Sequence, residues 1–153
     1  MPGTVRLHRV LRAPAGVIYR AFLEPAAMCK WLPPHGFVGH VSHSDPPPRV
    51  GGTYKMSFTN FRTKEAHSFG GTYVELTPPT EQKPGTIRYT DQFDNPGLPG
   101  EMQVAITLRP VSCGTEVTIV QEGVPDVIPV EMCYLGWQES LSMLAQLVEP
   151  NIP

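Results

Sequence analysis

The clearest pattern in the chain is an alternation of apolar and polar positions. Tyr54, Met56 and Phe58 alternate with polar residues after a Gly-Gly pair, which predicts a strand with one apolar face and one solvent-exposed face. The later strands are joined by short connections rich in turn residues, so neighbouring strands are expected to be antiparallel. The same alternation predicts strands at about 4–12, 36–44, 53–59, 70–76, 87–93, 102–108 and 117–119.

A second pattern, with the spacing of a helix, occurs in three segments. Apolar residues from Pro14 to Phe22 fall on one helical face, and Glu24-Pro25 ends this short helix because a residue before proline disfavours the helical conformation. A second short helix is predicted at about 25–30. A long amphipathic helix at about 128–149 is predicted from the apolar positions Val130, Tyr134, Trp137, Leu141, Leu144 and Val148.

The order of these elements predicts an α+β fold in a single domain that spans residues 1–153. A strand comes first, followed by two short helices, six further strands and the long helix. A curved, antiparallel, seven-stranded sheet around the C-terminal helix lets the apolar faces of strands and helix bury each other. Gly136 lies within that helix at a cost of about 1 kcal/mol relative to alanine. Either the helix approaches the sheet closely at this position, or the protein tolerates the loss of stability.

Composition and charge narrow the class of protein. The net charge is −2, and no block of five or more like charges occurs, which argues against a nucleic-acid partner and a basic membrane anchor. No apolar run approaches 18 residues, so no membrane insertion is expected. The arginines within residues 1–23 suggest a transit peptide, but their alternation with apolar residues favours a strand. Three cysteines without a C-x-x-C pair predict a reduced, cytoplasmic setting.

Motifs for a metal or a cofactor are missing from the sequence. No nucleophile elbow, G-x-G-x-x-G or P-loop motif occurs. His35, His40, His43 and Asp45 are of the types that ligate transition metals. Positions 40 and 43 of a strand point to opposite faces, however, and no second ligand group has metal spacing. We therefore expect no metal ion and no cofactor.

A catalytic set is equally hard to identify, and three residues are the weak candidates. Asp91 has the same strand parity as Tyr89 and Phe93, so it is a candidate to point inward. A buried aspartate needs a partner, or its pKa rises. The alternative is an exposed carboxylate at a frayed strand end. His67 and Tyr89 complete the candidates for moving protons.

A concentration of aromatic and methionine residues is the strongest functional signal. These residues fall where the inner face of the sheet meets the long helix, and methionine adapts to irregular gaps and to guests. Small-molecule sites have such linings with a few polar groups. A solid core without a guest is the alternative. The predicted ligand-binding residues are Trp31, Tyr54, Met56, Phe58, Tyr89, Met102, Tyr134 and Trp137.

Five stretches of the chain together resemble the motifs of a known family. They are Ala13-Pro14 to Trp31, Asp45 to Tyr54, Gly71 to Glu75, Gly114 to Thr118, and Gly136 to Leu144. In this order they resemble the START-like (SRPBCC) superfamily, in the branch named for the activator of the heat-shock-protein-90 ATPase. The second stretch is similar to the D-x-R-x-G-G-x-Y turn of that branch, lengthened here by three prolines. The resemblance covers nearly the whole chain.

The resemblance implies a helix-grip fold of the START or Bet v 1 type. In this fold a seven-stranded antiparallel sheet grips the C-terminal helix over a deep cavity. Relatives bind lipids, sterols, plant hormones or polyketides, and a minority are cyclases or other enzymes. The resemblance implies no general catalytic set.

These observations lead to one functional expectation and two alternatives. We expect a soluble cytoplasmic protein that holds an apolar, aromatic or lipid-like small molecule between the sheet and the C-terminal helix. A cyclase- or hydratase-type enzyme that uses the same cavity is one alternative, and it requires an inward carboxylate or histidine. A stress-related, co-chaperone-like interaction module is the other, and it requires an exposed apolar patch on the outside of the sheet. A homodimer is left open, and the residues themselves do not support a chaperone partner.

Overall fold

The computed structural model describes residues 2–151. Within them the chain forms seven strands and three helices in the predicted order, with bounds that differ from the predictions by a few residues. The elements are β1 (Gly3–Leu11), α1 (Ala15–Leu23), α2 (Pro25–Trp31), β2 (Phe37–His43), β3 (Thr53–Asn60), β4 (Ala66–Thr77), β5 (Gly85–Phe93), β6 (Met102–Val111), β7 (Gly114–Val124) and α3 (Val130–Val148).

The strands form one antiparallel sheet in the order β1-β7-β6-β5-β4-β3-β2. From β2 onward each strand pairs with the next one along the chain, as the short turn sequences predicted. The first strand instead pairs with the last, so α1 and α2 carry the chain from one edge of the sheet to the other. This arrangement confirms the predicted helix-grip fold.

The two short helices close one end of the sheet with a tight aromatic contact. The Trp31 side chain is fully buried, and its Nε1–H donates a hydrogen bond of 2.8 Å to the carbonyl oxygen of Ala21. Its ring packs edge-on against Phe22, with the ring centroids 4.8 Å apart. A buried tryptophan needs a partner for its N–H, and α1 supplies that partner.

The long helix α3 contacts the rest of the protein unevenly along its length. Its buried residues all lie in the second half, from Ser140 to Val148, and the apolar ones pack into the main core with the strands and α1. In the first half, Tyr134 and Trp137 are only partly buried and pack against a smaller apolar cluster. The helix therefore packs closely at its C-terminal end and leaves space beneath its N-terminal end.

Candidate functional site

A cavity of about 390 Å³ occupies the space between the first half of α3 and the inner face of the sheet. Its volume falls within the roughly 300–1,000 Å³ typical of small-molecule sites. Most of the lining is apolar and aromatic. The lining residues are Phe22, Met28, Leu32, Pro34, Phe37, Tyr54, Met56, Phe58, His67, Phe69, Tyr73, Tyr89, Asp91, Phe93, Met102, Gln121, Cys133, Gly136, Trp137 and Ser140.

The strand register places these side chains side by side on one face. Alternate residues of a strand point to the same face, so β3, β4 and β5 each contribute every second side chain. Met56 pairs with Phe69, and Phe69 in turn pairs with Phe93. Tyr73 pairs with Tyr89 in the same way. The aromatic floor of the cavity is therefore a direct product of antiparallel pairing in this register.

Six of the eight predicted ligand-binding residues line the cavity, and two do not. The six are Tyr54, Met56, Phe58, Tyr89, Met102 and Trp137. Trp31 lies behind Phe22 as a core residue, with its ring polar group already bonded to α1. Tyr134 turns toward β1, where its hydroxyl oxygen accepts a 3.0 Å hydrogen bond from the backbone N–H of Arg6. Both side chains therefore serve packing between elements rather than the cavity.

Some lining residues were not predicted, although the alternation on the strands contained a signal for several of them. Phe69 and Gln121 lie on the inner faces of β4 and β7, at positions that a longer extension of the alternation reaches. Leu32 and Pro34 come from the segment that joins α2 to β2, and Phe37 is the first residue of β2. That segment has no periodicity, so no pattern in the sequence indicated it.

Asp91 faces the cavity, so the alternative of an exposed strand end is wrong. Its Oδ1 lies 2.9 Å from the Tyr54 hydroxyl, which also lies 3.1 Å from the carbonyl oxygen of Thr90. Burial raises the pKa of Asp91 to about 7, against the smaller opposing effect of hydrogen bonds from Tyr54 and from the backbone N–H of Gln92. Asp91 is partly buried and is among the residues that line the cavity.

Three tyrosines surround this carboxyl group. The ring centroid of Tyr54 lies 5.5 Å from that of Tyr73 and 5.7 Å from that of Tyr89. The centroids of Tyr73 and Tyr89 are 6.3 Å apart. Burial raises the pKa of all three hydroxyls, and the nearby negative charge of Asp91 adds to the rise at Tyr54 and Tyr89. All three therefore stay neutral near pH 7 and can act as hydrogen-bond donors.

The remaining polar groups of the lining differ in how far they are already satisfied. Trp137 donates a 2.9 Å hydrogen bond to Gln121, and the Ser140 hydroxyl donates to the Leu32 carbonyl oxygen at 2.9 Å. The Tyr89 hydroxyl makes no hydrogen bond to any residue within 2–151, so it is available to a guest. His67 is largely exposed and lies at the rim of the cavity.

A second, larger depression of about 840 Å³ lies between α1, β2 and the three prolines of residues 46–48. Its charged groups already pair with each other, Arg20 with Glu24 and Arg49 with Asp45, both at 2.6 Å. Its polar groups are therefore less available to a ligand than those of the inner cavity, despite the greater volume. Within residues 2–151, no three His, Cys, Asp or Glu side chains are grouped to hold a metal ion.

An antiparallel sheet that grips a C-terminal helix above an internal cavity defines the class of START-like helix-grip proteins. The model of the family described as Activator of Hsp90 ATPase homolog 1-like protein matches residues 12–149, and the chain belongs to this family. The predicted resemblance is thereby confirmed. No curated protein matches the sequence.

Solved structures of related proteins share the fold. A crystal structure of a Chromobacterium violaceum protein is 58% identical, with a TM-score of 0.90, and the match covers 99% of this chain and 100% of that one. A Rhodobacter sphaeroides protein is 18% identical, with a TM-score of 0.77 and coverage of 96% and 95%. A Staphylococcus aureus protein of unknown function is 11% identical, with a TM-score of 0.76 and coverage of 97% and 94%. None of the helices within residues 2–151 has the length and apolar character needed to span a membrane.

Proposed function

We propose that this protein is a binding module that holds a small, largely apolar molecule in the cavity beneath α3. The single observation that carries the proposal is an aromatic cavity of about 390 Å³ with a few polar groups in its lining. A packed domain rarely leaves voids larger than a water molecule, so a cavity of this size implies a use. The lining matches the composition of small-molecule sites.

The expected strength of binding follows from the area that a guest can bury. Covering roughly 200–300 Å² of apolar ligand surface at roughly 25 cal/mol/Å² contributes about 5–7 kcal/mol before the cost of association. Micromolar affinity therefore needs hydrogen bonds as well. The free hydroxyl of Tyr89 and the carboxyl group of Asp91 supply them at the same side of the cavity.

A glycine in α3 offers a direct test. A Cβ atom placed on Gly136 would meet no atom within 4 Å, and the residue lines the cavity, so we expect the side chain of Gly136→Leu to occupy part of the cavity. Gly16 in α1 is equally unobstructed and does not line the cavity, so Gly16→Leu is the matched control. We expect aromatic and aliphatic alcohols, titrated against tryptophan emission, to bind the wild type and Gly16→Leu but to bind Gly136→Leu at least tenfold more weakly.

Two results contradict the proposal. One is the absence of binding across the whole alcohol panel by a folded wild-type protein. The other is equal binding by Gly136→Leu and Gly16→Leu, which would move the binding event away from the cavity. Circular dichroism on both variants establishes that the fold is intact before either result is read.

A second candidate function is an acid–base enzyme of the cyclase or hydratase kind. The observation that favours it is an inward carboxyl group with a pKa of about 7, hydrogen-bonded to Tyr54 within the cavity. A group that titrates near the working pH is suited to proton transfer. Under this alternative, Asp91→Asn keeps ligand binding and abolishes turnover, with His67 and Tyr89 as the other groups to vary.

The co-chaperone-like alternative receives less support from the outer face of the sheet. The exposed large apolar residues on the described strands are Val10, Val38 and Val74. They lie on β1, β2 and β4, none of which are neighbours in the sheet, so they form no continuous patch.

All three cysteines, Cys29, Cys113 and Cys133, are free, in keeping with the proposed cytoplasmic location. The homodimer stays a prediction that analytical ultracentrifugation tests.

A further inference from the structure

The charges that face the cavity are unbalanced. Asp91 is the one carboxyl group among the described lining residues, and neither lysine nor arginine is among them. Lys55, on the other face of β3 from Tyr54, is already paired with Asp94 at 2.6 Å. Asp91 itself receives hydrogen bonds from the Tyr54 hydroxyl and from the backbone N–H of Gln92. When Asp91 is ionised, its negative charge has no cationic partner within residues 2–151.

An unpaired carboxylate in a partly closed, apolar cavity is energetically unfavourable. Burying a charge costs several kcal/mol unless an opposite charge or enough hydrogen bonds compensate it. One tyrosine hydroxyl and one backbone N–H compensate only part of that cost. A guest that brings a positive charge to this position removes the remainder, whereas a neutral guest leaves it in place.

The rings around Asp91 favour the same kind of guest. Tyr54, Tyr73 and Tyr89 lie within 6.3 Å of each other by ring centroid, and Phe69 and Phe93 continue the aromatic surface with centroids 6.3 Å apart. The electron-rich faces of aromatic rings attract organic cations, and groups of such rings recognise ammonium groups. A carboxylate beside a tyrosine cluster therefore combines two independent sources of cation affinity.

We propose that the ligand of this cavity is an organic cation, namely an amine that is protonated near neutral pH and carried on an aromatic or apolar body. The ammonium group pairs with the carboxylate of Asp91 beside Tyr54 and Tyr89. The apolar body occupies the space beneath α3 between Phe69, Phe93 and Trp137. This inference rests on the proposed binding function and names the class of ligand.

The pairing has a consequence for the pH dependence of binding. Free Asp91 is about half protonated near pH 7, and only its ionised form pairs with an ammonium group. Affinity for a cation is therefore expected to fall about tenfold between pH 8 and pH 6, and a proton is released on binding near pH 7. Burial keeps Cys133 on α3 and the three neighbouring tyrosines neutral over this range, because it raises their pKa values. His67, at the rim on β4, is removed in a His67→Gln background to isolate Asp91.

The test uses two probes of nearly the same shape, naphthylethylamine, which is a cation near neutral pH, and naphthylethanol, which is neutral. Isothermal titration calorimetry at pH 8 is expected to show that the wild type binds the amine at least tenfold more tightly than the alcohol. The Asp91→Asn variant is expected to lose the preference for the amine but to bind the alcohol as tightly as the wild type does. Asp94→Asn removes a nearby carboxylate on the outer surface and is expected to behave like the wild type.

Each outcome bears on one proposal in particular. If both probes bind the wild type equally, or if Asp91→Asn keeps the preference for the amine, the inference of a cationic ligand is overturned and the binding function stands. If neither probe binds a folded wild-type protein, the cavity is not a binding site for molecules of this kind and both proposals fail. Titrations in two buffers of different ionisation enthalpy measure the released proton directly.

Discussion

A single buried carboxyl group, Asp91, is expected to make the stability of the protein depend on pH. Its pKa is about 7 in the folded protein and 3.8 in a model compound, so the folded state binds the proton more tightly. Between these values, raising the pH ionises the unfolded chain first and therefore favours unfolding. The free energy of unfolding is expected to fall by roughly 4 kcal/mol from pH 4 to pH 8 through this group.

Urea denaturation measured from pH 4 to pH 8 tests this expectation. Asp91→Asn keeps the shape of the side chain and removes the ionisation, so its unfolding free energy is expected to decline less over the same range. Asp94→Asn is the control, because Asp94 is exposed and paired with Lys55. Parallel pH profiles for the wild type and Asp91→Asn would contradict the assignment.

Strand parity predicted the inward side of Asp91 but not its partner. The hydrogen bond to Tyr54 joins β3 to β5 across the intervening strand β4. Such a contact depends on the register of two strand pairs, which alternation within one strand does not determine. Parity likewise indicated an inner side for Tyr54, Met56 and Tyr89. For Tyr134, helix periodicity indicated burial without indicating whether the side chain meets a cavity or a packed core, and for Trp31 only its aromatic character indicated a place in the interior.

At the scale of elements, a glycine in β4 allows two strands to approach beside the tyrosine cluster. Gly71 is the register partner of Tyr54, and a Cβ atom placed on it would overlap the carbonyl oxygen of Thr90. Because that oxygen belongs to the backbone of β5, the strands would have to separate to admit even a methyl group. This close approach also brings the Tyr54 hydroxyl within 3.1 Å of the Thr90 carbonyl oxygen.

Gly71→Ala is therefore expected to destabilise the protein by about 3 kcal/mol, because it forces a shift of the paired backbone. Gly16→Ala, in α1, adds the same methyl group where no atom lies within 4 Å, and it is expected to raise stability by about 0.5–1 kcal/mol through helix propensity. Thermal and urea unfolding of both variants measure the difference. Equal stability of the two alanine variants would show that the strands are free to adjust.

The predicted elements all occur, and what the sequence left undetermined were their ends and the segments between them. Alternation found β3 to β7, yet it placed the start of β4 near residue 70, whereas the strand begins at Ala66. The first residues of β4, which the prediction missed, include His67 and Phe69, and this explains why Phe69 was not predicted as a lining residue. The segment between α2 and β2 lines the cavity through contacts with α3, such as the hydrogen bond from Ser140 to Leu32.

At the scale of the whole molecule, the cavity results from a difference between the two halves of α3. The second half buries Leu141, Leu144 and Val148 against the core, while the first half meets the sheet through partly buried Tyr134 and Trp137. The amphipathic pattern of the helix is continuous over both halves. It therefore predicted that helix and sheet face each other, but the gap between them depends on the path of the sheet, which no local pattern encodes.

This difference predicts that a ligand stabilises one part of the molecule selectively. The first half of α3 has fewer buried side chains, so its amides are expected to exchange through local opening. The amides from Leu141 to Val148 are expected to exchange only through global unfolding. A guest at a hundredfold excess over its Kd adds about 2.7 kcal/mol to any opening that releases it.

Hydrogen exchange with and without naphthylethanol or naphthylethylamine measures this effect under native conditions. The largest gain in protection is expected between Val130 and Trp137 and in the facing strands β4 and β5, because local opening there disrupts the cavity. Gly136→Leu, whose added side chain is expected to occupy part of the cavity, is expected to show more protection without a ligand and less change on adding one. A gain confined to the surface next to the prolines of residues 46–48 would instead place the ligand in the second depression.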